Sequence, residues 1–208
     1  ILSKKLMNNE IVVTDMGTSF TCTMQALQTK TNQRLFTSSG LAAMGFGLPG
    51  AIGAIFANNN KRRVICITGD GGLMFNIQEL QTAFTHDLKL KLIVMDNQGY
   101  LTQKLMMKKN FKFLAGADKK SGVSMPSFYN VIKGFGINTN ILKDKNKINK
   151  SISNFLKDDK LQTLIVKMDP FQPLIPRYQT KIINGKFIKQ GLESMYPFVK
   201  DIDHKKNL

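Results

Sequence analysis

The stretch Val64-Ile65-Cys66-Ile67-Thr68-Gly69-Asp70-Gly71-Gly72 is answered, after a helical pattern over about 76–85, by Leu90-Lys91-Leu92-Ile93-Val94-Met95-Asp96-Asn97-Gln98-Gly99-Tyr100. Both open on a short, nearly continuous apolar run, over 64–68 and 90–95, and close on a polar segment containing glycine. Runs of this kind are strands buried on both faces, as in a parallel sheet. Asp70 and Asn97 are 27 positions apart, and one strand–helix–strand unit occupies about 30 residues. The two side chains therefore belong at equivalent carboxyl ends of two parallel strands, where open α/β sheets bind ligands.

The same alternation extends outward. Upstream, a strand is expected over 11–14, a helix over 20–28, and a helix over 47–58 packed through small residues. Downstream come a helix over 126–134, a strand over 138–142, a helix over 147–156 and a strand over 163–168. This is the pattern of a three-layer α/β/α domain with a parallel sheet. Lys104–Ser124 is polar and weakly periodic, which predicts a mobile surface segment. After Asp169 the pattern stops, and Pro170, Pro173 and Pro176 predict an extended tail. The expected organisation is one domain over 1–170, with 171–208 as its tail.

The 208 residues, 42% of them hydrophobic, suffice for one such core. No apolar run approaches the roughly 18 residues that span a bilayer. Ile1-Leu2-Ser3-Lys4-Lys5 lacks the apolar core and cleavage site of a secretory signal, and there is no initiator Met. A piece of a longer chain is the simplest expectation. Cys22 and Cys66 form neither C-x-x-C nor a metal spacing, so they are expected to be buried free thiols in a reducing cytosol. The net charge of +16 is almost all lysine; the arginines are Arg34, Arg62, Arg63 and Arg177. Base and phosphate readout favours Arg, and no nucleic-acid-binding motif is present, so the charge reflects composition and no nucleic-acid partner is expected.

The residue types at the two strand ends specify a ligand. Gly69, Gly71 and Gly72 let the backbone approach a phosphate, and the following helix points free N–H groups to the same place. Asp70 would repel that phosphate unless a cation lay between them. Mg²⁺ suits, because it takes one or two carboxylates together with phosphate oxygens. Asn97 offers a side-chain oxygen and Gly99 a backbone carbonyl. A Gly-Asp-Gly alone reads as an ordinary turn; paired with Asn-x-Gly at this spacing it reads as a cation-and-phosphate site.

Gly69-Asp70-Gly71 followed by Asn97 resembles the thiamine-diphosphate motif, in which GDG is followed at a similar distance by two asparagines. This chain has Asp96-Asn97 there, and in the family the second Asn is the metal ligand. Ser39-Gly40-Leu41-Ala42-Ala43-Met44-Gly45-Phe46-Gly47-Leu48-Pro49-Gly50-Ala51-Ile52-Gly53-Ala54 is similar to the GLGTMGFGLPAAIGA stretch of acetolactate synthase large subunits. Gln172-Pro173-Leu174-Ile175-Pro176-Arg177 and Leu192-Glu193-Ser194-Met195-Tyr196-Pro197-Phe198 resemble the ends of acetolactate-synthase-like proteins of bacterial surface-polysaccharide pathways.

The resemblance implies the thiamine-diphosphate-binding fold and a set of roles. Asp70, the Asn97 side chain and the Gly99 carbonyl would hold Mg²⁺. Gly69, Gly71, Gly72 and Thr18 of Asp15-Met16-Gly17-Thr18-Ser19 would surround the diphosphate. Met44 would wedge the cofactor's two rings into a bent form, with the Ala42 carbonyl and the Met44 N–H on the aminopyrimidine edge. The bent form sets the 4′-nitrogen beside the thiazolium C2–H, so that proton removal becomes intramolecular. On its own Met44 reads as core packing; the match of the flanking residues is what implies the wedge.

Other candidates carry less. Glu79 lies in the helix after the glycines, whereas the family's catalytic glutamate belongs to a separate pyrimidine-binding domain absent from this stretch. His86 and His204 read as surface histidines. Arg177 suits a substrate carboxylate or a surface ion pair, and Asp15 reads as a cap on the next helix. The resemblance thus implies the cofactor-binding part of a cytoplasmic, oligomeric enzyme. That enzyme would decarboxylate a small 2-oxo acid and transfer the two-carbon unit to an acceptor carbonyl. Simple decarboxylation, or a non-catalytic cofactor-binding remnant, are the alternatives. An exposed apolar surface around Met44 and Phe46 is expected to receive the pyrimidine-binding domain. The family's FAD domain has no counterpart here, and the residues say nothing of FAD.

Overall fold

The computed structural model describes residues 1–177, 180–189 and Met195. In chain order the elements are α1 (Leu2–Lys5), β1 (Ile11–Thr14), α2 (Thr18–Ala26), β2 (Arg34–Phe36), α3 (Gly47–Ala57), β3 (Val64–Gly69), α4 (Asp70–Leu73) and α5 (Glu79–Thr85). There follow β4 (Leu90–Asp96), α6 (Leu101–Asn110), α7 (Phe128–Gly134), β5 (Asn138–Leu142), α8 (Ile148–Phe155), β6 (Gln162–Lys167), β7 (Thr180–Ile183) and β8 (Lys186–Lys189). The chain divides into two units, Ile1–Gln172 and Pro173–Leu208.

In the first unit six strands form one all-parallel sheet in the order β2-β1-β3-β4-β6-β5. Side chains alternate across it, so each face collects its own core. Ile11, Val13, Val64, Cys66, Leu90, Leu92 and Val94 pack on one face with Leu48, Ile55, Leu80 and Ile132 from α3, α5 and α7. Val12, Ile65, Ile67 and Ile93 pack on the other with Ile152 and Phe155 of α8. The three-layer α/β/α architecture read from the sequence is thereby the observed one. Among the described residues no helix is long and apolar enough to cross a membrane.

Several local expectations are corrected. The segment 104–124 is not an irregular surface stretch: it contains most of α6 and a 3-10 turn at Lys119–Ser121, and both Leu101 and Lys104 of α6 are buried. The helix expected over 76–85 is preceded by a separate turn, α4, formed by the strand-end glycines themselves. α3 packs inward through Leu48, Ala51, Ile52 and Ile55, while Gly53 and Ala57 face outward. The tail is not simply extended. β7 and β8 pair as an antiparallel hairpin around Asn184-Gly185, whose φ values of 49° and 73° are those a tight two-residue hairpin turn demands. Cys66 is buried as expected, but Cys22 is half-buried; both are free. Burial pushes both thiols up from their ordinary range.

Candidate functional site

The chain leaves β1 toward β2 on one side and returns to its other side for β3. This reversal is the topological switch point, where neighbouring loops diverge and leave a crevice at the carboxyl ends of the strands. A cavity of about 440 Å³ opens there, walled by Gly17 and Thr18 after β1, Gly69 and Asp70 at β3, and Asn97 and Gly99 after β4. The register explains the meeting: Gly69 pairs with Met95, so Asp70 and Asn97 emerge side by side.

Asp70 is almost wholly buried (1% exposed). One oxygen accepts the Gly71 N–H at 2.8 Å and the other the Gly99 N–H at 2.9 Å. Burial is the main cause that pushes its carboxyl up to about 6; the two N–H groups oppose the rise and nearby Asp96 adds to it. Beside it, the Asn97 Oδ1 is buried and has no hydrogen-bond partner. A desolvated carboxylate and an orphaned amide oxygen on one cavity wall are what a hard, oxygen-seeking dication satisfies. Among the described residues no three His, Cys, Asp or Glu side chains cluster as a metal cage. A cation here would thus draw its remaining ligands from backbone and ligand oxygens, as Mg²⁺ commonly does.

The glycines are required by their surroundings. A Cβ on Gly99, already at φ 132°, would lie 2.2 Å from the Ala117 carbonyl oxygen. One on Gly71 would meet the Tyr100 ring at 2.4 Å, and one on Gly72 the Asp15 carboxylate at 2.8 Å. The amino end of α2 also meets the cavity through Gly17 and Thr18, and its N-cap, Gly17, makes no side-chain cap. Its first N–H groups are the kind that receive an anion.

Met44 lines the cavity and is 41% exposed, and Phe75, 56% exposed, lines it as well. Phe46, expected beside Met44 on the surface, instead turns inward: it is half-buried against Phe36, and a Cβ on Gly50 would come within 2.9 Å of its ring. Ala42 lies on the exposed loop at φ 53° and is not part of the cavity wall.

Asp15 does not cap α2 as expected, since the N-cap of that helix is Gly17 with no side-chain cap. Asp15 is buried, and its oxygens accept from the N–H groups of Met16 (2.7 Å), Gly45 (3.0 Å) and Gly47 (3.3 Å) and from the Thr68 hydroxyl (3.0 Å). With the Asn76 amide donating to the Gly45 carbonyl at 2.8 Å, it pins the loop that carries Met44 to the ends of β1 and β3. Tyr100, Met16 and Lys104 were likewise not read from sequence as parts of this region. Glu79 is half-buried, accepts from the Thr82 hydroxyl at 2.9 Å and does not line the cavity. His86 is exposed, edge-on to Phe56. Arg177 falls in the second unit, and His204 and most of the 192–198 segment lie outside the described residues.

A parallel α/β sheet with a glycine-walled cavity at its switch point, one buried carboxylate and one unpartnered amide oxygen defines a nucleotide- or cofactor-binding class of domain. The chain belongs to the thiamine pyrophosphate enzymes: residues 15–166 match the family described as "Thiamine pyrophosphate enzyme, C-terminal TPP binding domain". It is 33% identical over 172 residues to the acetolactate synthase isozyme 2 large subunit of Escherichia coli (strain K12), covering 80% of this chain and 30% of that protein. It is 33% identical over 183 residues to the isozyme 1 large subunit, covering 87% and 32%. It is 31% identical over 169 residues to a probable acetolactate synthase large subunit of Methanococcus aeolicus, covering 80% and 27%. The chain thus spans about a third of the length of these relatives.

Proposed function

We propose that this domain holds Mg²⁺ and thiamine diphosphate for an acetolactate-synthase-like enzyme. That enzyme would decarboxylate a small 2-oxo acid and transfer the two-carbon unit to an acceptor carbonyl. The observation that carries the reading is the pairing of the buried Asp70 carboxylate with the unpartnered Asn97 Oδ1 on one cavity wall.

In this reading the Asp70 and Asn97 side chains and the Gly99 carbonyl hold the cation. Gly69, Gly71, Gly72 and Thr18 line the diphosphate end. Met44, carried on the loop that Asp15 pins, supports the rings in their bent form, and the Ala42 carbonyl and Met44 N–H face the aminopyrimidine edge. Bound there, thiamine diphosphate supplies a carbon acid that adds to the keto carbon and an electron sink once carbon dioxide leaves. Asp70 neutralises the cation, the glycines allow close approach, and Asp15 fixes the height of Met44 above the floor.

The exposed Met44 and Phe75 at the cavity rim, with Leu41 and Met74 beside them in the chain, suit burial under a further domain. A pyrimidine-binding domain of the same enzyme, in an oligomer, is the partner this reading requires. The two free thiols fit a cytoplasmic setting.

Calorimetric titration of the chain with thiamine diphosphate, with and without Mg²⁺, tests the site. Asp70→Ala should lose the Mg²⁺-dependent binding, Asn97→Ala should weaken it and Glu79→Ala should keep it; the opposite ranking overturns the assignment. Product analysis then tests the reaction, using pyruvate with and without a second 2-oxo acid after a pyrimidine-binding domain is added. Acetaldehyde alone would mark a simple decarboxylase, and no turnover a cofactor-binding remnant.

A further inference from the structure

A buried ammonium stands behind the turn that carries Asn97. Lys104 lies in the first half of α6, is 0% exposed, and donates from Nζ to the Asn97 carbonyl at 2.9 Å. For stability alone this is a poor place for a charge. Burial desolvates it and pulls its pKa down, against the pull of Asp70, Asp118 and Asp169. It also sits toward the amino end of α6, where the helix dipole disfavours a cation. The Phe171 ring, 5.4 Å away, covers it. A methionine of similar length would fill the same space without the desolvation penalty.

What the charge does follows from the turn it grips. Gln98 has φ 60° and Gly99 φ 132°, two consecutive left-handed residues, of which only the glycine tolerates such a conformation cheaply. A turn of this kind holds one form only if it is tied down. On one side the Gly99 N–H is tied to Asp70; on the other the Asn97 carbonyl is tied to Lys104. Between the two ties the Asn97 Oδ1 remains unpartnered at the cavity wall.

We propose that Lys104 is a positioning residue. By gripping the Asn97 carbonyl it fixes the 97–99 turn so that the Asn97 side-chain oxygen and Gly99 meet the cation. Lys104 does not line the cavity and acts only through Asn97. The inference rests on the reading of Asn97 as a cation ligand.

The test is a double-mutant cycle of Lys104→Met and Asn97→Ala on the full chain. It reads the Mg²⁺ concentration that half-saturates binding of thiamine diphosphate. Losing a charge-assisted hydrogen bond should raise that concentration at least about tenfold in Lys104→Met, with an unchanged or higher melting temperature. Lys104→Arg should restore it to within about threefold. The double variant should lose less than the two single losses combined, because coupled residues are not additive. Without ligand, amide exchange at Gly99 should quicken in Lys104→Met while Ile93 and Val94 within β4 stay protected. If Lys104→Met does not fold, Lys104→Gln, neutral and one bond shorter, replaces it in the cycle. An unchanged Mg²⁺ requirement, an additive cycle, or an Arg variant no better than Met overturns the inference. If Asn97→Ala itself leaves the Mg²⁺ requirement unchanged, the cation site has failed and this inference with it. If Asn97→Ala is impaired and Lys104→Met is not, this inference alone has failed.

Discussion

Replacing Asp70 by Asn removes one charge from the cavity and leaves its shape intact. Its consequence without ligand is the reverse of the usual effect of damaging a site. Asp70 is pushed from 3.8 up to about 6, mainly by burial. Below pH 3.8 the folded and unfolded chains both carry the proton. As pH rises from 3.8 to about 6 the unfolded chain gives it up first, so stability falls with pH through that window. Above about 6 the slope ends, with about 3 kcal/mol lost. An amide does not titrate, so the Asp70→Asn chain should lack this component. It offers, however, one acceptor where Asp70 gives two, to Gly71 and Gly99, and the lost bond returns about 1–2 kcal/mol of that gain. At pH 7.5 without ligand, Asp70→Asn should therefore be more stable than the parent by roughly 1–2 kcal/mol.

Urea denaturation between pH 4 and 8, read as the difference between parent and variant, isolates this carboxyl from all others. Mg²⁺ and thiamine diphosphate should then invert the order. At a hundredfold excess over Kd, ligand stabilises the parent by about 2.7 kcal/mol and the variant far less. A variant less stable than the parent at pH 7.5 without ligand would refute the account of Asp70 as a strained, cation-seeking group. So would equal stabilisation of both chains by the ligands.

Met44→Ala should cost little stability, about 1 kcal/mol, because Met44 is 41% exposed. In a complex with a pyrimidine-binding domain it should slow C2–H/D exchange of bound cofactor far more than it weakens binding, and wild-type exchange would remove the wedge role. Gly99→Ala combines φ 132° with a Cβ 2.2 Å from the Ala117 oxygen, and a loss of about 3 kcal/mol or more is expected in thermal unfolding. Asp15→Ala strands the N–H groups of Gly45 and Gly47, and should cost about 3–5 kcal/mol and weaken cofactor binding together; stability retained in urea would contradict the pinning role.

The sequence was most legible where burial is continuous. β1 has the expected limits and β3 and β4 each run one residue longer, because their runs are apolar or β-branched between polar turns; β6 begins and ends one residue early, and β5 keeps its expected limits although only Thr139 and Leu142 of it are buried. β2 was illegible: it is a three-residue edge strand, Arg34–Phe36, with no fully buried residue to set a period. α6 was read as loose surface because lysine and methionine give it no apolar stripe, and the residues it buries are Leu101 and Lys104. The hairpin had its signal in Asn184-Gly185, but Pro170, Pro173 and Pro176 pointed to an extended tail instead. Asp70 and Asn97 were legible because one strand–helix–strand unit fixes their spacing. Asp15 was not, because its partners lie at 45–47 and 68, brought to it only by the folded loop.

Most buried charges of the sheet are matched within the chain, and the exception lies at the cavity. At the amino end Arg63 pairs with buried Glu10 and donates to the Leu156 and Asp158 carbonyls. There too Lys91, 0% exposed, donates to Asp158 at 2.9 Å and to Gln162 at 3.2 Å. Each of these buried charges meets its counterpart within the chain. At the carboxyl end Asp96 likewise pairs with Lys167, but among the described residues Asp70 has backbone N–H groups and no paired cation, and Asn97 Oδ1 has no partner. The Thr14 hydroxyl, at the end of β1, is also unpartnered; Thr163, the remaining such group among the described residues, lies near the amino end of β6. Leaving buried polar groups unmatched costs about 1–3 kcal/mol each. Of the unpartnered groups only Asn97 Oδ1 stands on a cavity wall beside an unpaired buried carboxylate, and that conjunction, more than any one unmatched group, marks a place built to be completed by something bound.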